Sequence, residues 1–499
     1  MTSPEPRDSP RTPAVYSERD AENTIVKPAR GPRSNGGVRS STAASVTLAN
    51  LRRSPEGAED VFEPTVVLDV DLAEPIPSIY QVSESGRQYR RALSLVRLHS
   101  YALGIVDIEI GGSGLPAGAH AAAIWSTLDG AINAHLAADG LAPLSALPLD
   151  GITGQGIPAC IETRARVVRD SPSITVVIAT RERPDTLAES LSSVLASDYP
   201  DFDVIVVDNA PSSTATRELV ERRFRDAPVR YVREDIPGLA TAHNRGLADV
   251  TAPVVAFTDD DVIVDSSWLS HVAAAFATGD DVGCVAGMIF PHELETPAQG
   301  WLEQFGGYSK GFRRMIFDVG NNKAPSILYP YAAGTFGSGA NMSFRTAILR
   351  EIGGFDPAMG AGSPAPGGDD LAAFFDVIAA GYALVYEPSA LVWHRHRRDY
   401  RALRNTAFTY GLGLTAYLTK IVFDRPSRAR GLLRRLAPGL AHGLSPNSPK
   451  NNGKRADYPA ELTWRERYGM LVGPFAYARG RWKRRRLYPA HPSRAVPKA

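Results

Sequence analysis

Residues 253–265 read "PVVAFTDDDVIVD", an apolar run closed by Asp259, Asp260 and Asp261. Adjacent carboxylates repel one another, and each raises the cost of ionising the next unless a cation or a donor-rich pocket offsets it. In extended backbone residues i and i+2 point the same way, so Asp259 and Asp261 are placed to converge while Asp260 faces elsewhere. Two hard carboxylates with open coordination positions suit Mg2+ or Mn2+ shared with substrate phosphates. The competing reading is a solvated acidic turn ahead of a helix, for which Asp265 is the better cap. Asp208 ends "VIVVDN", either as an Asx-turn or as a carboxylate accepting a hydrogen bond from a nucleobase or ribose. Asp369 and Asp370 open "DDLAAFFDVIAAGY". There one complements the helix dipole and the other is a candidate general base, tuned by its acidic neighbour and by partial burial. His394 follows "ALVW" and offers an imidazole as a third ligand for a two-carboxylate site, with His396 competing for the place.

These groups need a frame that gathers them. From Ser173 onward short β-branched runs, "ITVVIAT", "FDVIVVDN", "VRYVRE" and "PVVAFTDDD", alternate with segments of helical spacing such as "PDTLAESLSSVLAS" and "GLATAHNRGLADV". That rhythm specifies a mostly parallel sheet covered by helices on both faces, with the ligand site at the strand carboxyl ends. Thr180 and Arg181, Asp208 and Asn209, and Asp259 to Asp261 would then share one rim. Glycines and prolines crowd 353–368 ahead of the candidate base, which reads as a mobile or closely packed loop. "GAGSPAPGG" within it lacks the Lys-Ser/Thr ending of a phosphate loop.

The composition sets bounds. At 499 residues the chain is long enough for roughly two to four folding units, and 43% hydrophobic with 22% charged residues is globular. A net charge of +1 gives no global field to draw nucleic acid or membrane, although "GRWKRRR" at 480–486 concentrates positive charge. Cys160 and Cys284 lie far apart and outside metal-ligand spacing, so neither a disulfide framework nor a zinc site is expected, and a reducing, cytoplasmic setting fits best. The start of the chain lacks the apolar core of a secretory signal, and "YGLGLTAYLTKIVF" is too short to span a bilayer and carries a lysine, so no transmembrane helix is expected. The organisation expected is a disordered segment over 1–62, rich in Pro, Ser, Arg and Glu; a small α+β unit of unknown role over 63–150; the α/β sheet domain over 173–395; and a helical, basic extension over 396–499.

In order and spacing, "VVIATRERPDTLAESLSSVL", "VIVVDN", "GLATAHNRGL", "FTDDD", "GSGANMSFR", "GGFD", "GGDDL" and "VWHRH" together resemble glycosyltransferase family 2, inverting enzymes of the GT-A fold. The resemblance covers roughly residues 173–420 and extends more softly, through the "YPAELTWRERYGMLVGPFAYARGRW" tail, to actinobacterial members. It implies that Ala179, Thr180 and Arg183 touch the nucleotide, that Asp208 meets the base, that Asp259 and Asp261 hold the metal, and that Asp260 lies near the ribose or sugar. It further implies Asp370 as catalytic base, His394 as completing metal coordination, and Asn244 among the nucleotide-binding residues. Relatives commonly have Arg where His243 stands, so the cation there would be weakened or become pH-dependent. The implied partners are a UDP-, GDP- or dTDP-linked sugar and a glycan, lipid-linked or small-molecule acceptor, with no nucleic acid. Peripheral contact with the inner face of the plasma membrane through the basic C-terminus is also expected. Two rivals remain: an inactive nucleotide-sugar-binding protein of the same fold, and a nucleotidyltransferase, against which "ATRERPDTL" lacks a glycine-rich loop.

Overall fold

The computed structural model describes residues 62–487 apart from 84–85, 155, 306, 446–447, 449, 452 and 456; the expected disordered segment therefore lies almost wholly outside the described residues. Thr65–Asp71 (β1), Arg91–Leu98 (β2) and Tyr101–Glu109 (β3) form a three-stranded sheet, β1 parallel to β2 and β2 antiparallel to β3. The hairpin between β2 and β3 turns on His99 and Ser100, both left-handed (φ 56° and 71°), the sign that matches the right-handed twist of the strands it joins. Alternation sorts β2 into two apolar faces. Val96 and Leu98 pack with Ile124, Ile132 and Leu136 of the helix Ala117–Ala138. Leu93 and Leu95, with Ala102 and Ile105 of β3, belong to the same buried cluster as Val177, Phe257, Cys284 and Phe290 of the large sheet. Arg97 adds ion pairs to Asp69 and to Asp265, at 2.6 and 2.9 Å, so the small sheet shares a core with its neighbour.

The large sheet comprises Ile174–Thr180 (β4), Phe202–Asn209 (β5), Val229–Glu234 (β6), Val254–Asp259 (β7), Val262–Val264 (β8), Val282–Pro291 (β9), Met315–Phe317 (β10), Asn341–Arg345 (β11) and Ala383–His394 (β12). Its order is β10-β12-β9-β11-β7-β4-β5-β6, with β8 on β12. β6, β5, β4 and β7 run parallel, and β11 enters antiparallel between β7 and β9. Central strands are apolar on both faces: Val176 and Ile178 face Leu187, Leu191 and Trp268, while Val177 faces Ala240, Ala242 and Leu247. Pro184 at the first turn of the helix Pro184–Leu195 and Asp369 and Asp370 at that of Asp369–Ala379 mark two helix starts at the rim.

Beyond β12 the helices Tyr400–Asp424 and Ala460–Leu487 pack on each other. Gly411, Gly469 and Gly473 lie at their crossing, where any Cβ would overlap the opposite backbone or Thr415. The same helices close over the loop 353–368: Asp356 accepts hydrogen bonds from Tyr477 Oη (3.0 Å) and Arg484 (3.4 Å), and Phe355, Ala358, Met359 and Ala365 are fully buried. Of the two readings of this loop, the closely packed one holds for 354–356, 358–360 and 365, while 361 and 362 are exposed. Among the described residues no helix is long and apolar enough to cross a membrane.

Candidate active site

Strand register places the rim. Thr180 is level with Asp208 across β4 and β5, and Ala179 with Asp259 across β4 and β7. The chain turns at Asp260 and Asp261 into β8, whose antiparallel pairing with β12 sets Val262 opposite His394. That pairing brings His394 Nε2 to 3.6 Å from Asp261 Oδ1, and one ligand atom each from Asp259, Asp261 and His394 lies within 4.8 Å of the others.

Behind His394 runs a chain of hydrogen bonds. His394 Nδ1 is 3.2 Å from His396 Nδ1, and His396 Nε2 is 2.7 Å from Glu303 Oε1. With the Glu303 carboxylate accepting from His396 Nε2–H, the neutral His396 ring has its lone pair on Nδ1 and accepts the proton of His394 Nδ1–H. His394 Nε2 is then a bare lone pair aimed at two carboxylates. Such a group is unfavourable unless a proton or a cation lies among the three, and two carboxylates with a neutral imidazole fit a divalent ion. Burial holds the His394 pKa down at about 4, which keeps the ring neutral. Tyr308 packs against both imidazoles, at 5.3 and 5.6 Å between ring centres. Of the two histidines, His394 faces the carboxylates and His396 orients it from behind.

Asp260 turns away from this group. Its carboxylate accepts hydrogen bonds from Thr180 Oγ1 (2.7 Å) and Arg183 (3.0 Å). The same Arg183 nitrogen reaches Asp261 Oδ2 at 3.1 Å, with Arg397 at 3.4 Å from that oxygen. Thr180 and Asp260 thus anchor the first loop to the acidic turn, and the half-buried Ala179 lies one residue before it. Burial, followed by the charges of Asp261, Asp260, Asp369 and Asp370, pushes the Asp259 pKa up to about 8. Five carboxylates therefore share one field with two guanidinium groups at its edge.

Asp208 is fully buried at the end of β5. Tyr231 Oη donates to one carboxylate oxygen at 2.9 Å, and the other has no hydrogen-bond partner among the described residues. An unpartnered buried acceptor costs roughly 1–3 kcal/mol, so it is poised for a donor from outside the protein. Asp370 Oδ2 accepts from Gly339 N–H (2.9 Å) and Oδ1 from Leu371 N–H (2.8 Å). Burial raises its pKa, opposed by those N–H groups and by the ammonium of Lys310.

Two residues do other work than the sequence implied. Asn244 bonds both ends of its amide to the Phe355 backbone, at 2.7 and 2.9 Å, and so ties the helix Leu239–Asp249 to the loop 353–368. His243 is buried between Phe257 and Phe355 at ring distances of 5.0 Å, and burial drives its pKa down to about 3; it is no cation at the rim. Conversely Glu303, Tyr308, Lys310 and Arg397 join the site without any sequence signal beyond their type, since each comes from a loop or helix whose approach is set by tertiary packing.

Residues 175–352 match the family described as glycosyl transferase family 2, a span that ends before Asp370 and His394. Among curated proteins, the pre-mycofactocin glycosyltransferase of Mycobacterium tuberculosis is 28% identical over 228 residues, 46% of this chain and 44% of that protein. The glucosyl-dolichyl phosphate glucuronosyltransferase of Haloferax volcanii is 24% identical over 192 residues, 38% of this chain and 56% of that one. The chain thus spans about half the length of the curated relatives it matches. A solved mannosyltransferase, PcManGT from Pyrobaculum calidifontis in complex with GDP-Man and Mn2+, covers 66% of this chain and 95% of its own at 17% identity, with a TM-score of 0.39, a likeness too slight to bear weight. The parallel strands β6-β5-β4-β7, the antiparallel β11 and the acidic rim stand on their own, and the stretch that carries them is similar to the glycosyl transferase family 2 domain over residues 175–352.

Proposed function

We propose that the chain transfers a sugar from a nucleotide-diphosphate donor to an acceptor hydroxyl by single displacement with inversion. Asp259, Asp261 and His394 would hold a divalent cation, Mg2+ or Mn2+, and Asp370 would act as general base. The observation that carries the reading is the convergence of Asp259, Asp261 and His394, with His394 Nε2 3.6 Å from Asp261 Oδ1. A cation held there supplies positive charge to the departing diphosphate. Arg183, at the mouth of the first loop, adds a guanidinium for the same phosphates. The unpartnered oxygen of Asp208 accepts an N–H or O–H of the nucleoside. Asp370 takes the proton from the attacking hydroxyl; its raised pKa brings it nearer the working range of a base, and the Gly339 and Leu371 N–H groups fix its direction.

The Haloferax relative is named for a lipid-linked acceptor, glucosyl-dolichyl phosphate. A lipid-linked acceptor and an anionic membrane surface suit this chain too, because Trp464, Tyr468, Leu471, Phe475 and Trp482 form an exposed stripe on the helix Ala460–Leu487, among Arg467, Arg479 and Lys483.

Thermal melts with UDP-, GDP- and dTDP-linked sugars, each in Mn2+, Mg2+ or a chelator, test the catalytic reading. One donor class should raise the Tm by several degrees with metal present, and Asp261→Asn should abolish that shift. Asp370→Asn should keep the shift and lose roughly 100-fold or more in turnover. An inactive binding protein would show the shift without turnover in the parent chain. A shift that survived both chelator and Asp261→Asn would sink the metal assignment.

A further inference from the structure

A second cluster of metal-ligating side chains lies far along the chain from the carboxylate rim, in the small N-terminal sheet and the helix that follows it. His99 stands on the β2–β3 hairpin, His135 and Asp139 one turn apart at the end of the helix Ala117–Ala138, and Cys160 at the start of the helix Ala159–Asp170. One atom from each of the four lies within 4.8 Å of all the others. His99 Nδ1 is 3.1 Å from His135 Nε2 and 2.8 Å from Asp139 Oδ2, and His135 Nε2 is 3.3 Å from the same oxygen. Cys160 Sγ is 3.0 Å from Asp139 Oδ2, 3.6 Å from His99 Nδ1 and 3.9 Å from His135 Nε2.

The six separations run from 2.8 to 3.9 Å. Ligand atoms about 2.0–2.1 Å (N, O) and 2.3 Å (S) from a tetrahedral zinc lie roughly 3.2–3.6 Å apart, so adjustments of about half an ångström would seat the ion. Without an ion, His99 Nδ1–H and Cys160 S–H both donate to Asp139 Oδ2, and His135 Nε2 is left as a bare acceptor beside them. Loss of those two protons leaves four lone pairs facing one point, the exchange that metal binding drives. The set is also braced as metal ligands are. Cys160 N–H donates to Asp139 Oδ1 at 2.9 Å, and Arg164 donates to the His99 carbonyl at 3.0 Å. His99, His135 and Asp139 side chains are 7%, 12% and 3% exposed, so the ion would be nearly closed off from water.

We propose that His99, His135, Asp139 and Cys160 bind one Zn2+ as a closed structural site that joins the β2–β3 hairpin to the ends of two helices. Four protein ligands leave no open position, which separates this site from the rim, where two carboxylates and one imidazole leave room for substrate oxygens. Chain spacing concealed it: ligands at 99, 135, 139 and 160 form no short motif, and the expectation of no zinc site rested on cysteine spacing alone.

The test uses the full chain, stripped with a chelator, loaded with one equivalent of Zn2+ and desalted into buffer containing Mg2+. Elemental analysis should return about one zinc per chain, falling at least tenfold in Cys160→Ser and in His135→Ala and unchanged in Asp261→Asn. Loaded with Co2+ in place of zinc, the parent chain should show a thiolate-to-cobalt charge-transfer band and intense tetrahedral visible bands, with the first absent in Cys160→Ser. Failure of the parent chain to retain zinc, or a parent cobalt spectrum without the thiolate band, overturns the proposal even if the variants do not fold. Retention of full zinc by Cys160→Ser overturns it as well.

Discussion

His243 is held without charge between the rings of Phe257 and Phe355, and His271 is likewise buried, both with a pKa driven down to about 3 by burial. A histidine depressed in the folded state from about 6.5 binds its proton more readily when unfolded, so stability is full above pH 6.5 and is lost as pH falls toward 3. His243→Leu removes one of these two contributions. Urea unfolding at pH 7.5 and pH 5 should show the acid-induced loss shrinking by about 2 kcal/mol relative to the parent chain. An unchanged loss would mean that His243 takes its proton while folded. The chemistry of single residues was largely legible here: acidic residues at strand ends and ahead of a helix are where charge is costly, and the structure puts Asp259, Asp261 and His394 in one group. The direction of Asn244 and His243 was not legible, because both pack on Phe355, more than a hundred residues away.

The parallel strands β4 to β7 were readable as elements because β-branched runs alternate with helical periods. β9 and β11 escaped notice as strands, since a short apolar run carries no direction and the antiparallel entry of β11 is decided by its neighbours. The β8–β12 register, which brings His394 to Asp261, is equally non-local. Glycine at the crossing of Tyr400–Asp424 with Ala460–Leu487 has a measurable role. Gly469→Ala gains up to about 1 kcal/mol of helix propensity, but its methyl meets the Phe408 carbonyl, and such overpacking costs roughly 1–3 kcal/mol. Gly130, in the helix Ala117–Ala138, has open space around it. Gly469→Ala should therefore lower the melting temperature and Gly130→Ala raise it; shifts of the same sign would show that the two helices separate without penalty.

At the scale of the molecule, the exposed stripe at Trp464, Tyr468, Leu471 and Phe475 makes one side of the C-terminal helix apolar while its flanks are basic. Vesicles rich in anionic lipid should carry the full chain upward in a flotation gradient, and neutral vesicles should carry much less. Replacing Leu471 and Phe475 with Glu should abolish flotation while donor-dependent stabilisation persists. Equal recovery with both vesicle types, or none, would rule out an electrostatic and apolar docking to lipid. Composition gave only the basic residues of this surface, because which side of a helix stays bare depends on what packs against the other.

Leu93, Leu95, Ala102 and Ile105 lie outside the stretch that matches the family, yet they share one buried cluster with the interior of the large sheet. The borders of kinship and of cooperative folding do not coincide in this chain. A fragment trimmed to begin near Ile174 would bare the flank of β12 that β3 covers, where Ala102 N–H meets Ser389 Oγ, and would leave the Leu294 edge without Thr65.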